Sequence, residues 1–259
     1  MRIPVYHVDA FTTQPFSGNP AAVCPLETWL EDSTLQAIAA ENNLSETAFF
    51  VPENGHFRLR WFTPAVEVDL CGHATLASAF VLFNHLQFSG ESIRFQTASG
   101  ELVVAKSGDN FEMDFPSRPP EPCAPHPNLV SGLGAQPGVT LAARDYFCVF
   151  DNEDQVRALS PDFELLNGLD RFAVIATAPG KDCDFVSRFF APAQGINEDP
   201  VTGSAHCTLI PYWSQRLKKK TLFARQISAR TGEIWCEDRG ARVSIAGNAV
   251  LYSEGTVYV

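Results

Sequence analysis

The sequence has 259 residues, 45% of them hydrophobic and 19% charged, with a formal net charge of −11. That balance describes a folded chain with room for one large domain or two ordinary ones, and it excludes wholesale disorder. The charge argues against nucleic acid and against an acidic membrane surface as partners, and no apolar run approaches the roughly 20 residues of a membrane helix.

The opening stretch, MRIPVYHVDAFTT, has no apolar signal core and reads as a first strand over 3–10. DSTLQAIAAENN then spaces Leu35, Ile38 and Ala39 as a helix does, with Asp32 or Ser33 as its cap. LSETAFFV (44–51) and FRLRWF (57–62) read as strands. From His73 to Leu86 the chain is apolar on nearly every side, which predicts a helix buried all round. Three strands follow at SIRFQT, ELVVAK and FEMDF, the last alternating Phe111, Met113 and Phe115 inward with Glu112 and Asp114 outward.

PSRPPEPCAPHPN (116–128) has too much proline for a helix or an inner strand, and is expected to be a linker. It divides a first lobe, 1–115, from a second, 129–259, whose last strand could cross back to the first. In the second lobe the order repeats. It runs from strand DYFCVF to a helix over 151–159, then strands RFAVIAT and FVSRFF, then a helix from about 203. Four strands close the chain, near 222–226, 233–237, 241–246 and 249–259. RLKKK (216–220) suits the C-terminal end of the helix before it.

Letters repeat as well as elements. RWFTPAVEVDLCGHAT (60–75) and RFFAPAQGINEDPVTGSAH (188–206) share Arg, an aromatic, Phe, a small residue, Pro and Ala. A three-residue insertion in the second copy puts Gly72 on Gly203, His73 on Ser204 and Ala74 on Ala205, and duplication is the better account of the match.

Helix starts expose unpaired amides and a partial positive charge, and glycine there allows a ligand close to the backbone. Two such starts meeting across one cleft would hold a small carboxylate. Each alone could equally be an ordinary small-residue helix entrance. Glu46 shares a strand face with Ala48 and Phe50, where a carboxylate is expected to have a raised pKa and to serve as a proton carrier. Its plainer alternative is a strand-end glutamate reaching solvent or a backbone amide. His73, in the first turn of the buried helix, is expected to be held neutral by the helix dipole, or else to be a satisfied core histidine. Asp199 reads as a helix-entrance acid, and His206 and Cys207 as helix interior. Ser204 lacks the GxSxG context of a hydrolase nucleophile.

The seven cysteines, at 24, 71, 123, 148, 183, 207 and 236, form no CxxC pair. Neither a zinc ribbon nor a dithiol site is supported, no metal is expected, and reduced thiols in a cytoplasm fit best.

Four stretches in order, VDAFTTQPFSGNPAAV (8–23), NNLSETAFF (42–50), RWFTPAVEVDLCGHATLASA (60–79) and EDPVTGSAH (198–206), resemble the phenazine-biosynthesis PhzF-like family. This family belongs with the diaminopimelate epimerase fold, and the match runs over nearly the whole chain. The resemblance implies an α+β fold of two pseudo-symmetric lobes, each a curved mixed sheet around a central helix, with the active site between them. It implies cofactor-free isomerisation of a small carboxylate by an enzyme for which a homodimer is plausible. Glu46 would shuttle the proton, assisted by His73 and Asp199, while amides at Gly72 and Gly203 and the Ser204 side chain hold the carboxylate. Related epimerases and racemases use opposed cysteines. Here Cys71 precedes Gly72, but no cysteine stands ahead of Gly203. A racemase of the same fold and a non-catalytic metabolite-binding protein are the competing readings.

Overall fold

A computed structural model describes residues 1–259, and its elements in chain order are as follows. The first ten are β1 (Arg2–Ala10), β2 (Asn19–Pro25), α1 (Asp32–Asn42), β3 (Glu46–Glu53), β4 (His56–Phe62), β5 (Glu67–Val68), α2 (Gly72–Asn84), β6 (Ser92–Thr97), β7 (Gly100–Ser107) and β8 (Asn110–Pro116). Next come β9 (Glu121–Pro122), α3 (Pro127–Leu133), β10 (Val139–Ala142), β11 (Tyr146–Val149), α4 (Glu153–Ala158), α5 (Phe163–Asn167), β12 (Val174–Pro179) and β13 (Phe185–Ala191). The chain closes with β14 (Ile196–Asp199), α6 (Gly203–Leu217), β15 (Thr221–Gln226), β16 (Gly232–Asp238), β17 (Arg242–Gly247) and β18 (Ala249–Tyr258). No helix is long and apolar enough to cross a membrane.

Two units divide the chain. One comprises Met1–Asp114 with Ala246–Val259, the other Phe115–Ile245. Residues 246–259 join the first unit because β18 pairs antiparallel along the whole of β1.

In the first unit the pairings from β1 to β2, β3, β4, β6 and β7 run antiparallel, parallel, antiparallel, parallel, antiparallel. In the second, β10, β11, β12, β13, β15 and β16 repeat the same five senses in the same order. A short strand hangs on the equivalent edge in each, β5 on β4 and β14 on β13, and the long helix follows that short strand both times. Coincidence of this order with the sequence repeat is the signature of a duplicated unit.

The two copies share details that pairing alone does not require. Arg60 forks onto Glu67 through Nε and Nη2, both at 2.7 Å, clasping β4 to β5. Arg188 forks onto Glu198 at 2.7 and 2.8 Å, clasping β13 to β14. Such bidentate pairs fix direction as well as distance.

Helix α2 packs against β1, β2, β3, β7 and β18 and buries every residue from His73 to Leu82. Its hydroxyls turn back on its own carbonyls: Thr75 Oγ1 donates to Cys71 O at 2.5 Å and Ser78 Oγ to Ala74 O at 2.7 Å. That satisfies polar groups a buried helix could not otherwise carry. In α6 the interior Pro211 has no N–H to offer the Cys207 carbonyl, and Arg118 N donates there at 2.8 Å instead.

The structure corrects several sequence expectations. Glu31 caps α1, without a side-chain bond, in place of Asp32 or Ser33. Residues 116–128 are not pure linker: β9 pairs with β10, and Pro127 opens α3, where a missing N–H costs nothing and His126 caps the helix. The helix expected over 151–159 is confined to 153–158 by its Asn152 cap. Strands β2 and β10 and helix α5 were not foreseen.

Candidate active site

Glu46 opens β3 opposite Ala21 of β2, at the head of a fully buried run to Val51. His73 is the second residue of α2, whose cap residue Cys71 is extended (φ −145°, ψ 111°) and makes no side-chain cap bond. These positions bring His73 Nε2 to 3.0 Å from Glu46 Oε2, with both side chains about nine-tenths buried. The contact is close but not aligned as a hydrogen bond, so Oε2 is buried without a donor directed at it.

Two neighbours complete the cluster. The Asn19 side-chain amide lies 3.1 Å from His73 Nδ1, and Cys71 Sγ lies 3.5 Å from the same nitrogen. Burial and the Glu46 charge push the Cys71 thiol up to about 11, so it is protonated at neutral pH. Burial also disfavours a charged His73, but its neighbours Cys71 and Glu46 carry its pKa well above the ordinary value. The expectation of a neutral His73 is therefore corrected: Cys71 and Glu46 together outweigh burial and the partial charge of the helix end.

Asn19 went unassigned in the sequence, although it lies in the quoted stretch 8–23. It stands 54 residues from His73, and only the register of β2 reveals it. The loop before it is tightly built. Phe11 has φ +63° and donates its N–H to Asn248 O at 2.7 Å, while Asp9 Oδ2 accepts from Phe16 N at 2.9 Å. Gly18 has φ +68°, and a Cβ there would stand 2.1 Å from Ala10 O, so only glycine delivers Asn19 to this place.

In the second unit, Asp199 ends β14, and the turn behind it is pinned by a fully buried glutamine, Gln226. Gln226 Nε2 donates to Asp199 O at 2.7 Å and to Thr202 Oγ1 at 3.1 Å, while Oε1 accepts from Thr202 N at 2.8 Å. Because Thr202 Oγ1 accepts from Gln226, its own proton is directed to Asp199 Oδ2, 2.5 Å away. Gly203 and Ser204 begin α6, whose Thr202 cap, like Cys71, makes no side-chain cap bond.

Arg144 was also missed. It donates through Nη2 to Ser204 Oγ at 3.2 Å, stacks on Phe172 at 4.1 Å and pairs with the buried Asp145 at 3.2 Å. The strand registers make Arg144 the counterpart of Asn19, since each stands two residues before the residue that opens the parallel pair. Each also contacts the second residue of its unit's long helix. The same registers set Glu46 opposite Val174 in the duplication, so the second unit has no carboxylate at that place. Thr202 takes the place of Cys71. His206 takes the place of Thr75: its Nδ1 bonds the cap carbonyl of Thr202 at 2.8 Å, and it and Cys207 are helix interior as expected.

Comparison with known proteins gives this arrangement its family. The family model for phenazine biosynthesis-like proteins matches residues 8–255. A Pseudomonas aeruginosa protein named as an uncharacterized isomerase is 54% identical over 259 residues, covering 100% of both chains. A solved PhzF-family structure from Enterococcus faecalis is 49% identical with a TM-score of 0.98 and covers 100% of both chains. A hydroxyproline epimerase from Agrobacterium vitis, at 11% identity, shares the fold alone, with a TM-score of 0.63 over 99% of this chain and 92% of its own. The chain belongs to the phenazine biosynthesis-like, or PhzF, family, and it is an enzyme of the isomerase class.

Proposed function

We propose that the protein moves a proton between carbons of a small carboxylate whose C–H is acidified by an adjacent unsaturated system. The observation that carries this reading is the buried Oε2 of Glu46, 3.0 Å from His73 Nε2 and without an aligned hydrogen bond of its own. A carboxylate in that state has a lone pair left for a substrate proton. Positive charge on His73 would offset the negative charge that develops on the substrate as the C–H breaks.

Uncapped amides at the starts of α2 and α6, at Gly72 and Gly203, would hold the substrate carboxylate together with Ser204. Asp199 would assist proton return, kept in place by Thr202 and Gln226. A proton carrier supplies typically 10²–10⁴-fold, and charge stabilisation must supply much of the rest. Such chemistry requires no cofactor.

A two-thiol racemase is supported less well. Cys71 is buried with its thiol held protonated, and its counterpart in the second unit is Thr202. Incubation in deuterated buffer with a panel of small unsaturated, amino and hydroxy acids tests the reading by NMR. Deuterium entry with migration of a double bond supports it. Exchange at the α-carbon of amino acids with loss of optical purity would move the assignment to a racemase, and no exchange on any acid would leave a binding protein.

A further inference from the structure

The proposed chemistry has no use for Cys71, yet its thiol is buried against the imidazole, with Sγ 3.5 Å from Nδ1 and 4.0 Å from Nε2 of His73. Glu46, Cys71 and His73 each offer one ligand atom, and the three atoms all lie within 4.8 Å of one another. Of the Glu46 oxygens, Oε2 is buried without an aligned hydrogen bond.

We propose that Glu46, Cys71 and His73 form an inhibitory site for a borderline-soft divalent cation of the zinc type. The chemistry of the donor set selects the ion. A thiolate, an imidazole and a carboxylate suit zinc and cobalt, whereas magnesium and calcium require oxygen ligands. Zinc takes sulfur at about 2.3 Å and nitrogen or oxygen at about 2.0–2.2 Å, which sets tetrahedral ligands roughly 3.3–3.8 Å apart. The observed 3.0 Å between Oε2 and Nε2 and 4.0 Å between Sγ and Nε2 bracket that range.

A ligating histidine ordinarily has a hydrogen-bonding partner on its other nitrogen. Asn19 already occupies that place beside Nδ1, and its amide can turn either its nitrogen or its oxygen to the ring. As the ion enters, the thiol proton and any proton on Nε2 leave to solvent, and the Glu46 carboxylate stays anionic as a ligand. The ion thus occupies the group that the proposed isomerisation uses. The inhibitory consequence rests on that functional reading, but the binding does not.

Titration of the metal-free protein with cobalt(II) tests the site without any substrate. Wild type should take up one equivalent with a sulfur-to-cobalt charge-transfer band and the intense visible bands of a tetrahedral ion, all bleached by one equivalent of zinc. Cys71→Ser should lose the charge-transfer band. Loss of an outer partner alone costs about 10–100-fold, so loss of this ligand should weaken cobalt binding by more than about tenfold. Absence of the band in wild type overturns the proposal, whatever the variants do. Persistence of the band in Cys71→Ser assigns it to another thiol and also overturns it. If the metal binds as expected but no exchange reaction is ever found, the site stands and the functional reading fails.

Discussion

His73 presents Nε2 from the first turn of α2 to Oε2 of Glu46, the first residue of β3, across 3.0 Å. Against burial, Cys71 and this carboxylate together raise the imidazole well above its ordinary pKa. Such a pair contributes stability that is fully present below the unfolded histidine value and is lost as pH rises through the folded one. Glu46→Gln removes one of the two neighbours that oppose burial and leaves Cys71 as the other. The His73 pKa should then fall from its wild-type value, as read from histidine ring resonances across pH.

Asn19 should act as a positioning residue. It is fully buried, and its amide fixes the ring whose other nitrogen faces Glu46. Asn19→Ala should cost about 1–3 kcal/mol of stability through the lost partner. It should also lower kcat more than it raises KM, because the ring loses its orientation while the helix amides stay. Chemical denaturation and steady-state kinetics measure the two effects separately, and an unchanged kcat would reduce Asn19 to a structural role.

Asp199→Ala should cost activity severely. Thr202→Val keeps the shape of the turn but removes the hydroxyl donated to Oδ2, and should lower turnover about tenfold, the order of one hydrogen bond to a charged group. Thr202→Ser should restore it. Comparing the three variants by exchange rate separates the orientation of Asp199 from its presence.

His206 should make the fold acid-sensitive. Burial lowers its pKa from 6.5 to about 4, and Nε2 has no hydrogen-bond partner. The unfolded chain takes up a proton below 6.5, whereas the folded chain does so only near 4. Stability is therefore fully present above 6.5 and lost as pH falls from there toward 4, by up to ~3 kcal/mol for this one group. His206→Phe keeps a ring against Phe185, 6.0 Å away in the native packing. Urea unfolding of that variant should show a shallower loss over this interval than wild type does.

The parts of the site legible in the sequence were those carried by short contiguous words. Glu46 stood out by its apolar neighbours, and Gly72-His73 and Gly203-Ser204 by their place before apolar runs. Both long helices begin where those words put them. Asn19, Arg144 and Gln226 were not legible. Each acts over a long separation, 60 residues for Arg144 and Ser204, through strand register that local pattern does not encode. Strand β2 was hidden by a local cause, since the loop before it relies on positive φ at Phe11 and Phe16, where sequence signals favour neither residue. The charge on His73 was misjudged because one of the two neighbours that raise it, Glu46, lies 27 positions away in sequence, whereas the helix dipole is a local feature.

The central claim is that Glu46, and not the neighbouring thiol, carries the proton. Solvent deuterium wash-in on whichever small acid the wild type turns over, run with Glu46→Gln and Cys71→Ser side by side, tests it most directly. Glu46→Gln keeps the shape and deletes the titrating group, so exchange should fall by about 10²–10⁴-fold with ligand affinity nearly intact. Cys71→Ser should exchange at close to the wild-type rate. A Glu46→Gln enzyme that exchanges at full rate beside a dead Cys71→Ser enzyme would contradict the account and assign the chemistry to the thiol.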